Sequence, residues 1–167
     1  MRHHDPIRSR TTAFATPWFQ VIAKETDLDP KPYYSLALPD YVGVVAITTD
    51  GDMLFVRQYR PAIEATVLEL PAGMVDPGES PQDTIARELI EETGHETETL
   101  EHLGTLYSDT GRLQNRLWCY FADRVRPVAG WQQEQGVEVV KMRPRDALDA
   151  VRRGDLNHAL NLSVFML

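Results

Sequence analysis

A short stretch of the chain, from Gly73 to Glu96, concentrates carboxylates within one predicted helix: GMVDPGESPQDTIARELIEETGHE. Residues three and four apart share a helix face, so Glu88 lies on the same face as Glu91 and Glu92. Like charges four residues apart, as at Glu88 and Glu92, destabilise an isolated helix by roughly 0.2–0.5 kcal/mol. Carboxylate oxygens are the ligands that Mg²⁺ and Mn²⁺ prefer, so a divalent cation would remove this repulsion. A solvated charged face is the plainer alternative.

The residues around this helix fit the same chemistry. Gly73 and Gly78 permit close approach of the backbone or a positive φ, so the loop can bend back over the helix start. Glu79 stands just ahead of the helix, within reach of the same site. Arg87 lies one turn before Glu91 and is predicted to pair with it.

Composition narrows the function classes. The chain has 167 residues and a formal net charge of -8, which disfavours a non-specific nucleic-acid binder. An anionic substrate stays open, because a bound divalent cation can invert the local field. The one cysteine, Cys119, cannot form a disulfide within the chain, which favours a reducing, cytoplasmic location. No apolar run has the length of a membrane span, so no membrane partner is expected. His3 and His4, near the start, are not read as a metal site.

The pattern of elements predicts one domain over residues 1–167, with an N-terminal strand region over residues 1–40. The hairpin turn at Asp50-Gly51 and the helix signals Ser80, Pro81 and Gly94 are the clearest local features. Strands are predicted at Trp18–Lys24, Val42–Thr48, Met53–Tyr59, Ala65–Leu70, Glu101–Asp109, Arg116–Val125 and Val137–Met142. Helices are predicted at Ser80–Thr93, within Arg143–Asp155 and within Leu156–Leu167. Strands with helices on both faces indicate an α+β fold, an α/β/α sandwich with a mixed β-sheet.

The spacing of the acidic segment resembles the Nudix box, Gly-x5-Glu-x7-Arg-Glu-apolar-x-Glu-Glu-x-Gly-apolar. The fixed positions match, and the final apolar position holds His95 instead. The resemblance implies the Nudix fold and Mg²⁺- or Mn²⁺-dependent hydrolysis of a nucleoside diphosphate linked to another moiety. The matching positions are Gly73, Glu79, Arg87, Glu88, Leu89, Glu91, Glu92 and Gly94.

Roles for these residues follow from the resemblance. It implies that Glu88 and Glu92 are the main metal ligands, with Glu91 beside them and Glu79 as an outer partner. Arg87 would orient Glu91 by a salt bridge rather than touch the substrate.

The preceding stretch, VRQYRPAIEATVLELPAG, resembles the ADP-ribose and ADP-sugar pyrophosphatase branch. That resemblance implies that Arg60 contacts the substrate's phosphates or ribose and that the Ala72 carbonyl joins the metal shell. Trp18 resembles an aromatic that stacks on the base across a homodimer interface. A surface ion pair for Arg60 and a core position for Trp18 are the alternatives. Arg112 and Arg116 are either phosphate-binding residues or solvated loop charges.

The general base is expected in the loop AGWQQEQGVEVVKM, as in the same branch. Glu134 lies in the loop and Glu138 in the following strand, and Glu134 is the favoured candidate. The predicted substrate is a small nucleotide, ADP-ribose or another nucleotide sugar. A nucleoside triphosphate pyrophosphohydrolase and a non-catalytic nucleotide-sugar-binding module are the alternatives.

Overall fold

Strand pairing organises the chain into two separate sheets in the computed structural model, which describes residues 6–167. The chain also divides into two compact units. The first runs to Pro39 and includes Tyr107–Arg116, and the second comprises Asp40–Leu106 and Leu117–Leu167. His3 and His4 lie outside the described residues. That the whole chain acts as one domain stays a prediction.

The first unit contains an antiparallel sheet of β1 (Ile7–Ala15), β2 (Gln20–Thr26) and β3 (Tyr33–Ala37). The prediction of a strand from Trp18 was wrong at its start, because Trp18 lies in the turn between β1 and β2. The Thr16 hydroxyl oxygen accepts hydrogen bonds from the amides of Trp18 and Phe19, at 3.1 and 2.9 Å. Side-chain acceptors of this kind stabilise turns in competition with strands.

The second unit is built on an eight-stranded sheet in the described residues. Its strands are β4 (Tyr41–Thr48), β5 (Met53–Arg60), β6 (Ala65–Glu69), β7 (Ala72–Met74), β8 (His95–Glu96), β9 (Glu101–Tyr107), β10 (Arg116–Pro127) and β11 (Val137–Met142). β4 runs parallel to β10, whereas β5 pairs antiparallel with β4, β6 and β11, so the predicted mixed sheet is confirmed.

Helices cover both faces of this sheet: α1 (Pro81–Thr93) on one, and α2 (Pro144–Arg153) with α3 (Ala159–Phe165) on the other. Successive side chains of a strand point to opposite faces. Accordingly, Val44 of β4 packs in the cluster that contains the α1 side chains, and Val45 packs in the cluster of α2 and α3. The result is the predicted α/β/α sandwich.

Both ends of α1 form as the sequence predicts. The Ser80 hydroxyl accepts a hydrogen bond from the Asp83 amide at 3.1 Å, and Pro81 occupies the first helical position. Gly94 adopts a left-handed conformation, with φ of 67°, and its amide donates to the Ile90 carbonyl at 2.9 Å. Both ends of the acidic helix are therefore defined by cap residues.

The predicted hairpin is also present, since β4 and β5 pair antiparallel around Gly51, whose φ is 82°. Among the described residues, no helix is both long enough and apolar enough to cross a membrane.

Candidate active site

Glu88 lies directly against the backbone of Gly73. A Cβ on Gly73 would lie 2.2 Å from Glu88 Oε1, far inside van der Waals contact. The missing side chain therefore leaves the space that the Glu88 carboxylate occupies. The Glu88 side chain is 16% exposed, and burial raises its pKa, with the charges of Glu91 and Glu79 adding to the rise.

Glu92 is buried beside the same segment. Its Oε2 accepts a hydrogen bond from the Ala72 amide at 3.0 Å. Burial raises the pKa of Glu92 to about 8, and the charge of Glu88 contributes to that rise. The backbone of Ala72 and Gly73 therefore lies next to two carboxylates, Glu88 and Glu92, which share one face of α1.

Arg87 is the centre of the ion pairs around α1. It donates to Glu79 through Nε and Nη2, at 3.1 and 3.0 Å, and to Glu88 and Glu91 through Nη1, at 3.0 and 2.8 Å. Hydrogen bonds from Arg87 and from the Thr84 hydroxyl lower the pKa of Glu79. The expected salt bridge between Arg87 and Glu91 is present.

The expected convergence of Glu88, Glu91 and Glu92 is found only in part. Within residues 6–167, no group of three or more acidic, histidine or cysteine side chains has an arrangement that could hold a metal ion. The Glu91 side chain is 55% exposed and bound to Arg87, so it lies apart from buried Glu92. Arg87 binds Glu79, Glu88 and Glu91 alike, and the metal roles of all four glutamates stay predictions.

The chemistry of Glu88 and Glu92 fits a hard divalent cation. Glu88 and Glu92 supply carboxylate oxygens, and the predicted third donor, the Ala72 carbonyl, belongs to the residue whose amide contacts Glu92. Two partly desolvated carboxylates with raised pKa values carry a charge repulsion that a cation would relieve.

Arg60 lies near the same carboxylates, bound to a residue that sequence reasoning missed. Its guanidinium donates to Glu69, with Nη2 to Oε2 at 2.6 Å, and Gln58 Nε2 donates to the same oxygen at 3.1 Å. The charges of Arg60 and Glu69 both act on the pKa of Glu92, the first lowering it and the second raising it. Arg60 therefore forms an ion pair, as the alternative expected. The pair is only partly at the surface, because the Arg60 side chain is 44% exposed while its partner is buried.

Glu69 had a signal in the sequence. It is a single carboxylate between Leu68 and Leu70, both of which pack in the core on the other side of the sheet. In β6 it lies across from β5. There, Gln58 and Arg60 point to one face of the sheet and the residues that alternate with them point to the other. A single carboxylate in an apolar strand is expected to be buried. If the neighbouring strand has an arginine on the same face of the sheet, the two are predicted to form an ion pair.

The two candidates for the general base lie in different surroundings. Glu138, in β11, accepts a hydrogen bond from Arg57 at 2.8 Å. It shares strand parity with Val140, which packs on the side of α2 and α3, so it points away from α1. Glu134 lies in the exposed loop before β11, where its carbonyl accepts from the Val137 amide at 3.2 Å.

The remaining predicted binding residues belong to the first unit. Trp18 is 72% exposed, so the alternative of a core position is wrong. The Arg112 guanidinium lies 4.7 Å from the centre of the Tyr33 ring and also donates to the Tyr33 hydroxyl. Arg116, the first residue of β10, is exposed. Contact of these three residues with a substrate stays a prediction.

Cys119 is fully buried in β10, and burial raises the pKa of its thiol to about 11, as suits a small apolar residue. His95 is also buried. Its Nδ1 lies 2.7 Å from the Thr93 carbonyl, and its Nε2 lies 3.0 Å from Lys141 Nζ. These contacts explain how a histidine fits at a position where the resemblance expects an apolar residue.

Comparison with known proteins gives a consistent assignment. The family described as "NUDIX domain" matches residues 37–160. An ADP-ribose pyrophosphatase from Bacillus subtilis is 31% identical over 124 residues, which are 72% of this chain and 67% of that protein. A methanol dehydrogenase activator from Bacillus methanolicus is 32% identical over 117 residues, covering 68% of this chain and 63% of the relative. The matched region thus spans about two thirds of the length of these relatives.

Among solved structures, one described as an ADP compounds hydrolase superposes with a TM-score of 0.80. It covers 96% of this chain and 89% of the other, at 22% sequence identity. The similarity supports the fold described above.

Proposed function

Since the chain belongs to the Nudix family of hydrolases, we propose that it hydrolyses the diphosphate linkage of a nucleotide sugar in a reaction that requires Mg²⁺ or Mn²⁺. The observation that carries the proposal is the pair of carboxylates, Glu88 and Glu92, buried against Ala72 and Gly73. Two acidic side chains on one helix face repel one another when both are ionised, and a bound cation would offset that repulsion.

When bound, the metal would neutralise the charge of the diphosphate and lower the pKa of an attacking water. Glu88, Glu92 and the Ala72 carbonyl would hold it, and Arg87 would keep Glu91 and Glu79 in place. Arg60, fixed by Glu69, offers the half-exposed face of a guanidinium to a phosphate. Glu134 would take the proton from the water, because its side chain is exposed in the loop before β11.

The substrate class rests on the relatives. A protein named ADP-ribose pyrophosphatase matches over most of this chain, and a GDP-mannose pyrophosphatase from Cronobacter sakazakii is 29% identical over 118 residues. We therefore take ADP-ribose or another nucleotide sugar as the substrate, with a nucleoside monophosphate and a phosphorylated sugar as products. Arg112, Arg116 and Trp18 are the proposed contacts to phosphate and base.

We further propose a homodimer in the cytoplasm. The first unit exposes several large aromatic side chains, which supports association with a second copy. They are Phe14, Trp18, Phe19, Tyr33 and Tyr34. The free, buried thiol of Cys119 suits a reducing compartment.

A hydrolysis screen tests the proposal. The protein would be incubated with ADP-ribose, GDP-mannose, dinucleotides and nucleoside triphosphates, with Mg²⁺, Mn²⁺ or a chelator. We expect turnover of a nucleotide sugar that stops on chelation. Preferential turnover of triphosphates would favour a triphosphate pyrophosphohydrolase, and calorimetric binding of nucleotide sugars without turnover would favour a non-catalytic module. Either result would contradict the proposal.

A further inference from the structure

The loop that carries Glu134 is tied to the C-terminal end of α1. The Val128 amide donates to the Gly94 carbonyl at 2.8 Å, and the Trp131 indole Nε1 donates to the Glu91 carbonyl at 3.2 Å. The last four carbonyls of a helix lack partners within the helix. Trp131 therefore satisfies a carbonyl of the acidic helix that the helix itself leaves open.

Gly94 provides the surface on which the indole ring lies. A Cβ on Gly94 would approach the Trp131 ring to 2.4 Å, so only glycine allows the ring to contact this backbone. Gly94 also needs its left-handed conformation to end α1. The same glycine thus ends the helix and receives the indole ring.

Beyond Trp131 the loop has few attachments. Trp131 is half-buried, whereas the residues from Gln132 to Gly136 are exposed. A turn closes the loop, with the Val137 amide bound to the Glu134 carbonyl at 3.2 Å and Gln133 Nε2 bound to the Val137 carbonyl at 2.5 Å. Glu134 lies three residues after Trp131, whose indole contacts α1.

We propose that Trp131 is a positioning residue, which holds the loop against the end of α1 so that Glu134 is presented to the carboxylate site. This inference rests on the proposed function, because it assigns Trp131 an effect that passes through Glu134. Trp131 itself would touch neither substrate nor metal.

Three variants separate this role from a general loss of structure. Trp131→Ala removes both the ring and the hydrogen bond, and Trp131→Phe keeps a ring against Gly94. Trp118→Phe is the control, since it removes an indole hydrogen bond elsewhere, from Nε1 to Asp40 at 2.9 Å. We expect Trp131→Ala to lower kcat by about 10- to 100-fold, the range for misplacing a catalytic group by about 1 Å. KM and the Mg²⁺ concentration for half-maximal rate should stay within about threefold, because neither directly involves Glu134.

We expect Trp131→Phe to recover most of that loss and Trp118→Phe to stay near the wild-type rate. Hydrogen exchange gives a readout without turnover: the Val128 amide should exchange at least about tenfold faster in metal-free Trp131→Ala, while amides within α1 keep their protection.

A double-mutant cycle decides whether the effect passes through Glu134. In a Glu134→Gln background, Trp131→Ala should cost little further activity, because the group that it positions is already gone. Equal losses in both backgrounds, or a wild-type kcat in Trp131→Ala, would overturn this inference alone. A neutral Glu134→Gln would overturn it together with the base assignment. Absence of any hydrolysis by the wild-type protein would overturn the proposed function and this inference with it.

Discussion

At the residue scale, Gly73 is required by the carboxylate that it faces. Gly73→Ala places a methyl group where Glu88 Oε1 now lies, 2.2 Å from the new Cβ. We expect the Glu88 side chain to move and Mg²⁺ activation to require at least about tenfold more metal, the range for disturbing a ligand's support. Gly104→Ala is the matched control, because its Cβ would meet Leu167 at an ordinary 3.7 Å. Equal metal dependence of the two variants would argue against a ligand role for Glu88.

Glu92 tests the metal proposal more directly. Glu92→Gln keeps the shape and the acceptor for the Ala72 amide but removes the charge. We expect activity to fall by about 10²–10⁴-fold, as for loss of a central group in metal-assisted or acid–base catalysis. The fold should survive, because repulsion with Glu88 is relieved. Near-normal turnover by this variant, measured at saturating Mg²⁺, would remove Glu92 from the proposed site.

The raised pKa of Glu92 also predicts how stability depends on pH in metal-free protein. Its folded-state pKa, about 8, lies above the ordinary value near 4.5, so between these values the folded state binds more protons than the unfolded state. Stability should therefore fall as pH rises from about 5 to 8, by an amount on the order of a few kcal/mol. Urea unfolding with a chelator at pH 5.5 and pH 8 measures the change, and Glu92→Gln should flatten it. A wild-type slope no steeper than that of Glu92→Gln would contradict the prediction.

Single residues differ in how far the sequence predicts them. The acidic helix was predictable because fixed spacing on a helix places carboxylates on one face and glycine next to them. The sequence did not predict that one arginine, Arg87, binds Glu79, Glu88 and Glu91. Only the Arg87–Glu91 pair, four residues apart, follows from helix geometry alone. Glu69 was missed because its partner, Arg60, comes from a neighbouring strand.

At the element scale, strand parity distinguishes the two candidate bases. Glu138 points to the side of α2 and α3 and pairs with Arg57, while Glu134 lies in the loop that Trp131 ties to α1. We expect Glu134→Gln to lower kcat strongly with little change in KM, and Glu138→Gln to serve as the near-neutral control. If Glu138→Gln alone lowered kcat, the two roles would be exchanged. If neither did, Glu91 would be the next carboxylate to test.

Elements with strong local signals were predicted well, and those that depend on tertiary contacts were not. Ser80 and Gly94 mark the ends of α1, and the hairpin at Gly51 has its own turn residues. β1 was missed because its nine residues are mostly exposed and show no apolar alternation. In α2 the small residues Ala147 and Ala150 are buried, whereas Leu148 is 46% exposed.

At the scale of the whole molecule, the first unit carries the features that motivate a homodimer. β1 is at the edge of its sheet among the described residues, and edge strands are common sites of association with another chain. Phe14 on β1 is 58% exposed and Trp18, in the following turn, 72%. Large exposed aromatics of this kind mark association surfaces. The resemblance to the ADP-sugar branch independently implies that the N-terminal strands help to complete the partner's site.

We therefore expect light scattering at micromolar concentration to give twice the 19.0 kDa mass of the chain. Phe14→Asp should shift the protein to monomer and lower activity, because the partner's Trp18 would no longer reach the site. Leu148→Asp is the matched control, an apolar-to-acidic change at a residue that is 46% exposed on α2, and it should leave both mass and activity unchanged. Trp18→Ala should raise KM while leaving the dimer intact, which separates base stacking from association. A wild-type protein that is monomeric and fully active would rule out the dimer, and with it any role of Trp18 across an interface.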